Sequence, residues 1–178
     1  MFLDAANIEK NSLRQGDIIR GVRVLGAINL KAIQFSTDIS GEEKGWSFAG
    51  VLKIADVMVL SHSCELDRSN NMKVTSIIVA PIRDVDPATR KDKLDKLIES
   101  NYLEKGMGFS YLKYFYVEPN DNLEHKKGAV VDFSKCFSIR NKSFDYLLEN
   151  KILQLDSDIA RSMSLKLGLY FSRSYSVA

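Results

Sequence analysis

Four consecutive apolar residues, Val57-Met58-Val59-Leu60, run directly into a polar and reactive stretch, Ser61-His62-Ser63-Cys64-Glu65-Leu66-Asp67-Arg68. Alternate side chains of a strand point to opposite sides, so a short continuous apolar run fits a strand buried on both faces. Around it the first half of the chain reads mainly as strands. Gln15-Gly16 makes a turn before a short strand at Asp17–Arg20. Val22–Phe35, broken by Gly26, is one bent strand or two. Trp46–Lys53 and the β-branched Val74–Ile82 are further strands, the last ending at Pro81.

The middle changes character. Asp86 before Pro87 predicts a helix N-cap followed by a proline in the first helical position, where its missing N–H costs nothing. Leu94, Leu97, Ile98 and Tyr102 follow at helical spacing, ending near Gly106, with a balanced charged outer face. Strands resume at Tyr111–Val117, Ala129–Phe133 and Phe137–Arg140, with a long polar turn at Pro119–Gly128. Ser143–Glu149 reads as a short helix. After Ser157 as N-cap, Ile159, Met163, Leu167 and Tyr170, with Leu165 and Leu169 beside them, give an amphipathic C-terminal helix. Strands and helices do not alternate regularly, so a doubly wound sheet is disfavoured. A β-rich α+β fold is expected: a small antiparallel barrel or curled sheet with an inserted helix and a C-terminal helix. One domain spans residues 1–178, with a barrel core over about 15–140 and a helical part over about 143–175.

Composition narrows the class. Across 178 residues, 45% are hydrophobic and 27% are charged, a globular mix. Two cysteines cannot staple a fold of this size, and they are expected to be reduced. No apolar run reaches the roughly 18 residues of a membrane span, and Met1–Lys10 has no apolar signal core. A cytoplasmic protein without membrane association is expected. The net charge of +2 neither demands nucleic acid nor excludes a local basic groove.

Glycine-rich phosphate loops, the dinucleotide fingerprint, zincin motifs and the nucleophile elbow are all missing. No cofactor is expected. The chemistry therefore concentrates after Leu60. If the strand continues, His62 and Cys64 point to one face, and an imidazole beside a thiol favours a nucleophilic thiolate. Glu65 can orient the imidazole or accept a proton. Equally, Cys64 can be a small core filler and His62 a polar edge residue. His62, Cys64, His125 and Cys136 would make a tetrahedral zinc shell, but their spacing matches no familiar zinc module, and no metal is expected. Arg14, Arg20, Arg23 and Lys31, then Arg83, and Lys113 among Tyr111, Tyr114, Phe115 and Tyr116, combine cations with aromatics. That combination holds single-stranded nucleic acid, although alternation lets only half of these side chains face a groove.

Gln15-Gly16-Asp17-Ile18-Ile19, and the succession VMVLS (57–61), polar loop and SIIVAPI (76–82), resemble the MazF/PemK type of toxin. That resemblance covers Gln15 to Arg83 and implies a small SH3-like barrel from bacterial conflict or defence systems. It implies RNA as a substrate and an antitoxin or other protein partner; separately, a barrel with an amphipathic terminal helix is suited to form a homodimer. RNA cleavage would use His62 or Glu65 as base and Arg83 as phosphate stabiliser. The sequence departs from that family where Ile54-Ala55-Asp56 replaces its basic residue and where Arg83 replaces its threonine. A second resemblance runs along nearly the whole chain. SHSCEL, AVVDFS (129–134) and KLGLYFSR (166–173) are similar to an SQ-x-CD signature in a group of bacterial proteins, with Glu65 for the usual Asp. It adds Ser61, Asp132 and Arg173 to the candidate binding residues, alongside Asp67 in the polar loop.

Overall fold

The computed structural model describes residues 1–28, 34–36, 45–47, 50–66, 75–102 and 111–172. It is an α+β protein built on a curled antiparallel sheet. The strands are β1 (Ile18–Ile28), β2 (Gln34–Ser36), β3 (Gly45–Ser47), β4 (Gly50–Val59), β5 (Ser76–Asp84), β6 (Tyr114–Val117), β7 (Ala129–Asp132), β8 (Phe137–Arg140) and β9 (Lys151–Leu153). The helices are α1 (Lys91–Glu99), α2 (Phe144–Glu149) and α3 (Ser157–Ser172). Seven strands form the main sheet in the order β6-β7-β5-β4-β1-β9, with β8 also on β5, while β2 and β3 pair separately.

Register explains how one sheet makes two cores. Ile18, Met58 and Ala80 are successive cross-strand neighbours, as are Ile82, Val131 and Phe115. All six lie in one buried cluster with Leu153, Phe133 and, from α3, Met163 and Leu167. The opposite face carries Ile19, Val57, Val59, Ile77 and Val79, covered by Leu13 and by Phe144 and Leu147 of α2. The run Val57–Leu60 is thus buried on both sides, Met58 and Leu60 in one core and Val57 and Val59 in the other. Beneath α1, Leu97 packs on Tyr116 and Val130, on the outer side of β6 and β7.

The curl has its corner in β5. Ser76–Val79 pair with β8, whereas Ile82–Asp84 pair with β7 on the same edge. Pro81 lies between these partners and the strand runs on to Asp84, so it does not end the element as the sequence suggests. A proline has no N–H to offer the ladder, and here that edge changes partner. The Asp86-Pro87 signal also resolves differently. Asp86 Oδ1 accepts the Ala88 N–H at 2.9 Å and its carbonyl accepts the Thr89 N–H, forming a turn, and α1 begins later, at Lys91. The end of that helical pattern near Gly106 lies outside the described residues, since α1 stops at Glu99 and a 3₁₀ turn follows over Ser100–Tyr102. Asp156, rather than Ser157, caps α3 by accepting the Asp158 N–H at 3.0 Å. Leu165 and Leu169 are exposed, while Lys166 is buried beside Leu167.

Candidate functional site

The end of β4 is fastened before the reactive residues begin. Leu60 and Ser61 donate their N–H groups to the Ile78 carbonyl, and the buried Ser61 hydroxyl accepts the Ile78 N–H at 2.8 Å. Ser61 therefore fixes the strand end. The chain then leaves the sheet in a 3₁₀ turn over Ser63–Glu65, with Leu66 buried at its foot among Leu13, Val57 and Phe144. His62 caps this turn, its Nδ1 accepting the Cys64 N–H at 3.3 Å, and the same Nδ1 lies 2.9 Å from Cys64 Sγ. The sequence brought His62 and Cys64 together on a continued strand. A helical turn does so instead, through a cap that a strand would not make.

The partner wall comes from a strap at residues 9–14, which turns at Lys10–Asn11. Its Glu9, Asn11, Ser12, Leu13 and Arg14, with Ser63, Cys64, Leu66 and Phe144, enclose a cavity of about 420 Å³. The strap is held from both sides. The Gln15 N–H donates to Ser63 Oγ at 3.1 Å, and Gln15 Nε2 donates to the Leu60 carbonyl at 2.7 Å. On the far side, Lys151 Nζ donates to the carbonyls of Glu9 and Ser12 and to Gln154 Oε1, and pairs with Asp17 Oδ2 at 2.7 Å. Arg14 pairs with Glu9 at 2.7 Å across the strap. The Ser12 hydroxyl holds the Glu9 carboxyl below its ordinary range, burial opposes this, and Arg14 adds to it. Cys64 and His62 are both exposed, and of the two Cys64 lines the cavity, with His62 behind it. Glu65 is exposed on the outside of the turn and does not line it.

Arg83 lies elsewhere. Ser61 sits beside Ile78, and Arg83 is five residues further along β5, ~17 Å at about 3.3 Å per residue. There it meets Asp132, its Nη2 lying 3.5 Å from Oδ2 of a carboxylate only 6% exposed. Asp132 caps the turn after β7, accepting from Ser134 N–H at 3.0 Å and from the Ser134 hydroxyl. The structure thus brings together His62 with Cys64, and Arg83 with Asp132, but not the two pairs with each other. Asp67 and Arg173 lie outside the described residues. His125, placed in solvent by its hydrophilic neighbours, is instead mostly buried, with Nδ1 2.8 Å from Asp84 Oδ1. Among the described residues, no group of three or more His, Cys, Asp or Glu side chains converges on a metal position. No described helix is long and apolar enough to cross a membrane.

Fold and site together define an α+β protein with a curled antiparallel sheet and a thiol–imidazole pair at a cavity mouth. The chain matches no protein-family model and no curated protein.

Proposed function

We propose that this chain is a toxin-like barrel protein whose working site is the pocket around Ser61–Glu65, and that Cys64 acts there as a nucleophile. One observation carries the reading: the Cys64 thiol lies 2.9 Å from His62 Nδ1 at the edge of a cavity of about 420 Å³. A nucleophile and its base belong within hydrogen-bond reach of each other. The thiol proton passes to His62 Nδ1, and the sulfur adds to a carbonyl carbon of a ligand seated between the strap and Phe144, the C=O π pair moving onto the oxygen, which takes up the proton from His62. Arg14 supplies a cation for an anionic ligand group when it parts from Glu9.

The ribonuclease reading, with His62 or Glu65 as base and Arg83 at the phosphate, is less well supported. One reacting phosphate cannot touch groups separated by ~17 Å of strand. The bacterial conflict setting and an antitoxin-like partner come with the MazF/PemK resemblance.

The test is the rate at which iodoacetamide alkylates Cys64 at neutral pH, followed by peptide mass mapping. The wild-type thiol is expected to react faster than the same thiol in His62→Ala by about tenfold. Equal rates in the two proteins would sink the assignment, because an exposed cysteine without an assisting base reacts like any free thiol.

A further inference from the structure

A second cavity, remote from Cys64, lies between α1 and the outer face of β5, β7 and β6. It has a volume of about 320 Å³. Leu97 and Val130 give it an apolar floor, Tyr111 and Tyr114 are its aromatic walls, and Arg83 and Lys93 are its cations. Strand alternation makes this possible. Phe115 and Val117 turn into the main core, so Tyr114 and Tyr116 face the other way, toward α1.

Two acidic residues, Asp84 and Asp86, share the lining with the two cations. Asp84 is engaged by His125 at 2.8 Å, and Asp86 accepts the Ala88 N–H at 2.9 Å. Lys93 has no acidic partner among the described residues. Arg83 is held from behind by the buried Asp132, while 59% of its side chain remains exposed. Its guanidinium carbon lies 5.7 Å from the centre of the Tyr114 ring, and Lys113 Nζ lies 4.5 Å from the same ring. A guanidinium beside a buried carboxylate, with most of its side chain exposed, can offer a second pair of N–H groups to an oxyanion. An apolar floor between aromatic walls suits a flat ring, and the volume is that of a small-molecule site.

We propose that this cavity binds a nucleoside monophosphate group, its phosphate on Arg83 and Lys93 and its base on the Leu97–Val130 floor beside Tyr111 and Tyr114. The same chemistry is carried by a free nucleotide and by a nucleotide within single-stranded RNA. This site is independent of the Cys64 assignment, and its test uses no thiol chemistry.

The experiment is calorimetric titration of the full chain at low salt with the four ribonucleoside monophosphates, a short unstructured oligoribonucleotide, ribose 5-phosphate and inorganic phosphate. At least one base-bearing probe is expected to bind about tenfold or more tighter than ribose 5-phosphate. Arg83→Gln is expected to weaken that binding about tenfold or more. Because Arg83→Gln leaves Asp132 without its cation, Lys93→Gln on the surface of α1 serves as a second variant, expected to weaken binding about threefold or more. Preference for the oligonucleotide over the monophosphates, lost in both variants, identifies the source as RNA. No binding by any base-bearing probe overturns the proposal. So does equal affinity for ribose 5-phosphate, or binding that survives both variants unchanged.

Discussion

Among the described residues, two lysines, Lys151 and Lys166, have buried side chains, and they are buried in opposite ways. Lys151, on β9, is 1% exposed and meets a carboxylate, Asp17, that is itself fully buried, along with two backbone carbonyls and the Gln154 side chain. Lys166, on α3, is 0% exposed, and its Nζ donates to the Ser100 hydroxyl at 2.7 Å, which passes a hydrogen bond on to the Leu97 carbonyl. No carboxylate pairs with it among the described residues. Burial pushes the Lys166 ammonium down to about 7. Burial also raises Asp17 to about 6, against the opposing pull of Lys151. One Asp17 oxygen, Oδ1, is buried with no hydrogen-bond partner. The first lysine is therefore a charged post around which the chain is tied. The second is a long apolar stem with an amine that the fold tolerates best when neutral. Burial alone does not say what a lysine does, and the difference lies in what surrounds the nitrogen.

The largest expected effect breaks the first of these. In Lys151→Met, Asp17 is left as a buried carboxylate without a cation, and the strap loses its ties at Glu9, Ser12 and Gln154. Denaturant unfolding is expected to show a loss of about 3–5 kcal/mol, the cost of removing one partner of a buried pair. Asp17→Asn combined with Lys151→Met is expected to recover part of that loss, because no charge then stays buried alone. A double variant as unstable as the single one would show that the ties to the strap, not the charge pair, carry the energy.

Lys166 is expected to respond with the opposite sign. Lys166→Met keeps the stem that packs beside Met163 and Leu167 and removes an amine that has lost its water. Ser100 retains its own hydrogen bond to Leu97. At pH 6 the variant is expected to be more stable than wild type by about 1–3 kcal/mol, read from the same unfolding curves. A destabilisation of similar size would mean that the Ser100–Lys166 hydrogen bond outweighs the cost of burying the ammonium.

Neither lysine was legible in the sequence, and the reasons are physical. Lys151 opens a three-residue strand whose burial depends on Asp17, a partner brought close only by the pairing of β1 with β9. On α3 the helical period gave the helix and correctly placed Met163 and Leu167 inside. Hydropathy alone sets Leu165 and Leu169 beside them, whereas the side chain that goes inward there is Lys166, against Ser100 of the 3₁₀ turn. What could be read locally was read well. Val57–Leu60 is buried on both faces because four apolar neighbours in a strand have no other place to go. Phe137–Arg140 is a strand with those limits. At the candidate site, His62 and Cys64 were legible because two residues' separation keeps them near in either a strand or a turn. The strap that completes their cavity was not, since residues 9–14 carry no periodicity and are placed by side-chain hydrogen bonds. The meeting of Arg83 with Asp132 depends on two antiparallel registers that no local pattern encodes.

The effect that is smallest per pH unit also separates Lys166 from the Asp17–Lys151 pair most cleanly, because Lys166 and Asp17 titrate in different windows with opposite signs. Lys166 has a folded value near 7 against an ordinary 10.5, so between those limits the unfolded chain holds more protons than the folded one. Stability from this group then rises with pH across that window, by at most about 1.4 kcal/mol per pH unit for a single proton. Asp17 has a folded value near 6 against an ordinary 3.8, so there the folded chain holds more protons. Its contribution is fully present below 3.8 and is lost as pH rises through 6. Unfolding free energies measured across pH 4 to 10 in wild type and Lys166→Met should therefore have parallel profiles on the acid side. Above pH 7 they should converge, as the wild-type lysine is relieved of its proton. Profiles that stay parallel throughout would mean that Lys166 keeps its charge when buried, and that the two lysines differ in their partners but not in their protonation.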